Sequence, residues 1–318
     1  MSPHELVPRT TRWLEFPEYG GGLPLRIPYW IRVGLADGPK ALLIAGVHGD
    51  EFEGVAALQD LARVLDPAGL KGILTIVPVA NPLAFHAGTR RSPADLADLN
   101  RSFPGEPDGT ISARLAYRLF HEVVLGNDIL LSLHGWSSHS VVVPYAEYPL
   151  GNSEAAQRSC AAAHALGMEY LHPYEWPKGV LGEAALKHGV AAVETEVGGM
   201  GTVTSEGQQE TMRLIHRFLA HLGMLEPDRA ASPAQTTKSK IVDHVDCVAN
   251  HAGLFRSRVH LGETVQAGAV LGTVHGLGGE CLEEVQAPRR SMLAILRRMA
   301  SVQPGDRLAQ LFCWGSIE

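Results

Sequence analysis

His48 and Glu51 stand three residues apart in the stretch Gly46-Val47-His48-Gly49-Asp50-Glu51. The apolar run Ala41 to Val47 ahead of them has the composition of a buried strand, and from Val55 onward apolar residues recur at three- and four-residue spacing, as on a helix. A His and a carboxylate on the turn at a strand end can aim an imidazole nitrogen and an oxygen at one centre, the donor set that holds a zinc ion. A third donor has to come from another strand end. The apolar run Asp128 to Leu133 supplies it in His134, followed by Gly135 and Trp136. A further strand, Val190 to Val193, runs into Glu194-Thr195-Glu196-Val197-Gly198-Gly199. Three protein ligands and one open position are the pattern of catalytic zinc, and a carboxylate outside the ligand set is then needed to move protons. Glu196 suits that part, with Gly198-Gly199 read as an open turn beside it. Glu194 shares its strand face by the period of two, so spacing alone leaves both carboxylates in play.

The segment Ala87 to Gly105 is polar and aperiodic, and it carries Arg90, Arg91, Asp98, Asn100 and Arg101. A loop of this length inside a compact domain usually has work to do. One guanidinium there can stabilise the oxyanion of a carbonyl under attack. Another can grip a substrate carboxylate through paired hydrogen bonds. Arg101, after Asn100 and before Ser102-Phe103-Pro104-Gly105, is placed in the site, whereas Arg91 is placed in solvent.

The elements that would position these residues alternate strand and helix. Trp13 to Val33 reads as two antiparallel strands joined through Tyr19-Gly20-Gly21-Gly22, and Gly72 to Ala80 and Val141 to Tyr145 read as strands. Helices are expected over Ser112–Val124, Ser153–Leu166, Val180–His188 and Thr204–Leu222. This is an α/β fold, in which sites form outside the carboxyl ends of parallel strands. His48, Glu51, His134 and Glu196 all fall at such ends. Residues 226–240 lack any large apolar side chain and read as a linker between an α/β domain, 1–225, and a small β-rich domain, 241–318. Within the latter, Val265-Gln266-Ala267-Gly268-Ala269-Val270-Leu271 recurs as Val302-Gln303-Pro304-Gly305-Asp306-Arg307-Leu308. The repeat suggests two similar β halves, a barrel-sandwich arrangement like that of biotinyl and lipoyl carriers. No lysine follows Lys240 to bear a prosthetic group, so the domain is assigned to shaping a site rim or a contact between copies of the chain.

Of 318 residues, 45% are hydrophobic and 19% charged, with a net charge of -7, which disfavours nucleic acid as a partner. No apolar stretch is long enough to span a bilayer, and Met1 to Arg12 lacks the apolar core of a signal peptide, so a cytoplasmic protein is expected. Cys160, Cys247, Cys281 and Cys313 are far apart and read as buried reduced thiols, leaving a metal to His and carboxylate ligands. His86, His121, His139, His164, His172, His188 and His216 follow no ligand spacing and are given surface or core roles.

Taken in order, G-V-H-G-D-E, N-P-L-A-F, D-L-N-R-S-F-P-G, L-H-G and E-V-G-G resemble the succinylglutamate desuccinylase and aspartoacylase family, which is related to the zinc carboxypeptidases. The resemblance covers roughly Ala41 to Gly199 and extends more weakly into the β-rich tail. It implies a carboxypeptidase-like mixed sheet flanked by helices and one zinc per chain on His48, Glu51 and His134. It further implies Glu196 as general acid/base, Arg90 at the carbonyl oxygen, and Asn100 and Arg101 on a substrate carboxylate. The implied reaction is hydrolysis of a small-molecule N-acyl amino acid to an acid and a free amine.

Three departures bear on specificity. Ser132 stands where family members often have Asp two before the third ligand, no arginine lies near Val180-Leu181-Gly182, and no tyrosine follows Tyr174. The expected substrate is therefore an N-acyl amino acid with a neutral or basic side chain, not acyl-aspartate or succinylglutamate. A carboxypeptidase acting on small peptides shares the same zinc core, and a non-catalytic metal-binding or assembly protein is the reading outside enzymes; a homo-oligomer is compatible with the deacylase reading.

Overall fold

The protein is described by a computed structural model covering residues 11–16, 25–227 and 239–314. The turn read at Tyr19 to Gly22, nearly all of Met1 to Arg12 and most of the linker lie outside these residues. Strands β1 (Arg12–Phe16), β2 (Leu25–Val33) and β3 (Ala36–Ala45) lead to helix α1 (Glu53–Val64). Next come β4 (Lys71–Val77), α2 (Pro82–Ala87), α3 (Ile111–Leu119), β5 (Ile129–His134), β6 (Ser140–Pro149) and α4 (Glu154–Ala165). The α/β part closes with β7 (Tyr170–Tyr174), α5 (Leu181–Lys187), β8 (Ala191–Gly199) and α6 (Ser205–His221). The remainder is all β: β9 (Lys240–Ile241), β10 (Asp243–Val248), β11 (Gly253–Ser257), β12 (Thr264–Val265), β13 (Val270–His275), β14 (Cys281–Gln286), β15 (Ser291–Arg297), β16 (Ser301–Val302) and β17 (Arg307–Cys313).

The centre of the main sheet is parallel, in the order β4-β3-β5-β8, with β2 and β6 antiparallel on its flanks. The central strands are apolar on both faces because helices cover both. Ala41, Leu43, Leu131 and Val193 pack under α1, α4 and α6, against Leu58, Leu61, Leu214 and Phe218. The alternate residues Leu42, Ile44, Leu130 and Ala192 meet Leu115, Leu119 and Leu181 on the other side. Ser153 and Thr204 start α4 and α6 by accepting hydrogen bonds from the backbone N–H groups of Ala156 and Gly207.

The tail is not a detached body. β15 pairs antiparallel with β6, so β15, β17 and β10 prolong the main sheet, while β14-β13-β11-β16 form a second sheet of four strands. Tyr145, Ile295 and Phe312 share one core cluster across the junction. The sequence repeat reappears as structure: β12 and β16 each lead through a turn, with Gly268 and Gly305 at positive φ, into β13 and β17. Two expectations change. Cys281 is exposed and Cys160 half-buried, although all four thiols are free. Val141 to Tyr145 is only part of a strand that continues to Pro149, and β7 has no counterpart in the sequence reading. Among the described residues no helix is long and apolar enough to cross a membrane.

Candidate metal centre and substrate cavity

Parallel pairing sets the site. Ala45 of β3 lies opposite Leu133 of β5, and His134 lies opposite Glu196 of β8, so three strand ends converge. The turn after β3 carries His48 and Glu51 to the same edge. His48 Nδ1 is 2.8 Å from Glu51 Oε1, His134 Nδ1 is 2.8 Å from Glu51 Oε2, and the two Nδ1 atoms are 3.3 Å apart. All three side chains are buried.

The far side of each imidazole is also occupied. His134 Nε2 is 2.9 Å from Ser132 Oγ, and His48 Nε2 is 3.3 Å from Asp98 Oδ1. Protons placed on the Nε2 atoms leave both Nδ1 lone pairs facing each other and a carboxylate. Lone pairs converging in a buried place repel unless a cation joins them, and two imidazoles with one carboxylate match zinc. Partners on the outer nitrogen fix the tautomer and ring orientation of metal-binding histidines. Ser132 therefore fills the place where family members often have Asp. When protons instead occupy the inner nitrogens, the burial that would raise the Glu51 carboxyl is outweighed by the charge and hydrogen bonds of His48 and His134, which hold Glu51 well below the usual carboxylate range.

The long loop adds the rest. Arg90 Nε donates to Asp98 Oδ2 at 3.0 Å, and its Nη1 lies 3.8 Å from Glu51 Oε1. Asn100 is buried, and its Oδ1 accepts from the N–H of Leu181 at the start of α5 at 2.8 Å, leaving the Nδ2 amide as a donor. Arg101 makes no ion pair with a described residue; one of its amines donates to the Asn100 carbonyl at 2.6 Å. Both line a cavity of about 490 Å³ together with His48, His134, Glu194 and Glu196. A small amino-acid derivative fits a space of that size.

Glu196 and Glu194 are both buried, with Glu196 Oε2 and Glu194 Oε1 lacking hydrogen-bond partners among the described residues. Burial raises both carboxyls, and the charge of Glu51 raises Glu196 further. Glu196 shares a register position with His134, whereas Glu194 pairs with Ser132, two residues and so about 7 Å deeper along the strand. The expected open turn at Gly198-Gly199 is absent: β8 continues through both residues, paired with Val142 and Val141. Gly198 has φ +94°, and a Cβ there would collide with the Glu53 carboxylate.

That carboxylate is itself buried, and burial, aided by the charge of Glu51, raises it to about 7 from an ordinary 4.5. A carboxyl that binds protons more tightly when folded weakens the fold as pH climbs from its unfolded toward its folded value. Glu53→Gln should therefore gain melting temperature relative to wild type as pH rises from about 4.5 to 7. A difference that stays constant over this window would contradict the assignment.

Several cavity residues escaped the sequence reading. β6 and β7 contribute Glu147 and Tyr174, and the β-rich tail contributes His244, Arg297, Arg307 and Gln310. His172, expected to be an ordinary histidine, sits 3.2 Å from both Glu147 Oε1 and His244 Nδ1. His139 also lines the cavity. The period-two spacing of Tyr170, His172 and Tyr174 is the signal that could have disclosed β7. For the tail residues no local pattern exists, because their place depends on β15 pairing with β6.

Residues 37–222 match the model of the succinylglutamate desuccinylase/aspartoacylase catalytic domain. The chain is 36% identical over 279 residues to the N-alpha-acetyl-L-2,4-diaminobutyric acid deacetylase of Halomonas elongata, covering 86% of this chain and 82% of that one. A crystal structure of a succinylglutamate desuccinylase/aspartoacylase from Rhodobacter sphaeroides superposes with a TM-score of 0.88 at 28% identity, over 96% of this chain and 95% of the other. The product-bound ectoine utilization protein EutE (DoeB) from Ruegeria pomeroyi does so with a TM-score of 0.86 at 28% identity, over 95% and 94%. With its mixed α/β sheet and a family match across more than half its length, the chain belongs to the succinylglutamate desuccinylase/aspartoacylase family of deacylases.

Proposed function

We propose that the protein is a zinc-dependent amidohydrolase that splits the amide of an Nα-acyl amino acid into a carboxylic acid and the free amino acid. The observation that carries this reading is the alignment of Glu196, buried and outside the ligand set, with His134 at the carboxyl edge of the sheet. His48, Glu51 and His134 would hold the zinc, which when bound supplies an activated water near neutral pH and polarises the acyl carbonyl.

The chain's own residues do the rest. Glu196 accepts a proton from the attacking water and passes it to the departing nitrogen, and the low polarity that raises its carboxyl suits both steps. Arg90, anchored on Asp98, presents its Nη1 toward the ligand cluster, where it can stabilise charge on the carbonyl oxygen. Arg101 and the Asn100 amide bind the α-carboxylate and set the amide over the centre. The Halomonas relative's substrate makes Nα-acetyl-2,4-diaminobutyrate the first compound to test. A panel of N-acyl amino acids and dipeptides, assayed with and without chelator, checks the reading; dipeptides cleaved in preference to every N-acyl amino acid would overturn it.

Arg101→Lys should raise KM and lower kcat/KM for carboxylate substrates by about one to two decades, since a point charge replaces a two-pronged donor. Zinc content should not change. Equal cleavage by wild type of an N-acyl amino acid and its C-terminal amide would show that Arg101 does not read the carboxylate.

A further inference from the structure

Strands β6 and β8 bring a costly pairing to the same cavity. Glu147 of β6 and Glu194 of β8 are direct cross-strand neighbours, and both line the cavity. Like charges facing each other across a strand pair repel, and burial sharpens the effect. Glu194 is only 5% exposed, and its Oε1 has no hydrogen-bond partner among the described residues. Glu147 is held by His172, 3.2 Å away, which is backed in turn by His244 and stacked flat on Tyr174 at 4.7 Å between ring centroids. No described lysine or arginine forms a salt bridge with either carboxylate. Arg297 and Arg307, which share the cavity, are engaged by Asp306 at 3.1 Å and Asp246 at 2.8 Å. Arg101 acts on Glu194 less than His134, Glu147 or His48 do.

We infer that Glu147 and Glu194 form the subsite for a protonated amine on the substrate side chain, so that the enzyme selects Nα-acyl derivatives of a short diamino acid. The inference rests on the deacylase reading above. With the α-carboxylate at Arg101 and the ammonium between the two glutamates, each charge of the substrate meets its opposite. The bound ammonium also relieves the repulsion across the strand pair.

The test compares kcat/KM for Nα-acetyl-2,4-diaminobutyrate and Nα-acetyl-norvaline, whose side chains have the same shape and differ in charge. Wild type should favour the ammonium substrate by about ten- to a hundredfold, the range of a charge-assisted hydrogen bond. Glu147→Gln should shrink that ratio by about tenfold or more, with zinc content and melting temperature recorded beside it. Should Glu147→Gln fail to fold, the same ratio measured on Glu194→Gln decides. A wild type that treats both compounds alike, or a folded variant with an unaltered ratio, overturns the subsite and leaves the deacylase reading standing. Cleavage of neither compound, nor of any N-acyl amino acid, overturns the deacylase reading itself.

Discussion

Glu196→Gln should keep its zinc and lose about a hundred- to ten-thousand-fold of kcat, the usual contribution of a general acid/base. The amide matches the carboxylate in shape but takes no proton from water and gives none to the leaving amine. Its position supports a large effect: Glu196 is buried, lies level with His134, and has an oxygen without a partner among the described residues. Glu194→Gln is the informative control. Glu194 sits two residues deeper, opposite Glu147, and its loss should act on substrate preference more than on the proton-transfer step. A crippled Glu194→Gln beside an active Glu196→Gln would exchange the two roles.

His48→Ala should abolish stoichiometric zinc and, with it, hydrolysis. The variant removes one of two imidazoles whose Nδ1 atoms lie 3.3 Å apart, and it leaves Asp98 without the ring it faces. Zinc analysis of the purified variant beside wild type is the readout. Equal zinc in both would remove His48 from the ligand set.

The gathering of His48, Glu51, His134 and Glu196 at one sheet edge was legible in the sequence because that edge is built from strand ends. An apolar run followed by Gly-x-His, Leu-His-Gly or Glu-x-Gly-Gly names both a strand and the residue it delivers, and parallel pairing of β3, β5 and β8 brings those residues together. The loop with Arg90, Asp98, Asn100 and Arg101 was legible as an aperiodic polar stretch, though the role of Asp98 beside His48 was not. The cavity residues from β6, β7 and the tail were hidden for a physical reason. Glu147 lies beyond Pro144 in a strand whose apolar run stops early, and His172 lies in a five-residue strand of mixed composition. His244 and Arg307 reach the cavity only through long-range pairing of the tail with β6, which leaves no trace in local periodicity. The pair Gly198-Gly199 was misread: Gly198 is needed for its positive φ and the close approach of Glu53, inside a continuing strand.

The most direct test of the central claim is acetate release from Nα-acetyl-2,4-diaminobutyrate by protein stripped of metal with a chelator and then given back one equivalent of zinc. Stripped protein should be inactive, and one zinc per chain should restore the rate. Undiminished hydrolysis by protein shown to contain no metal would contradict it.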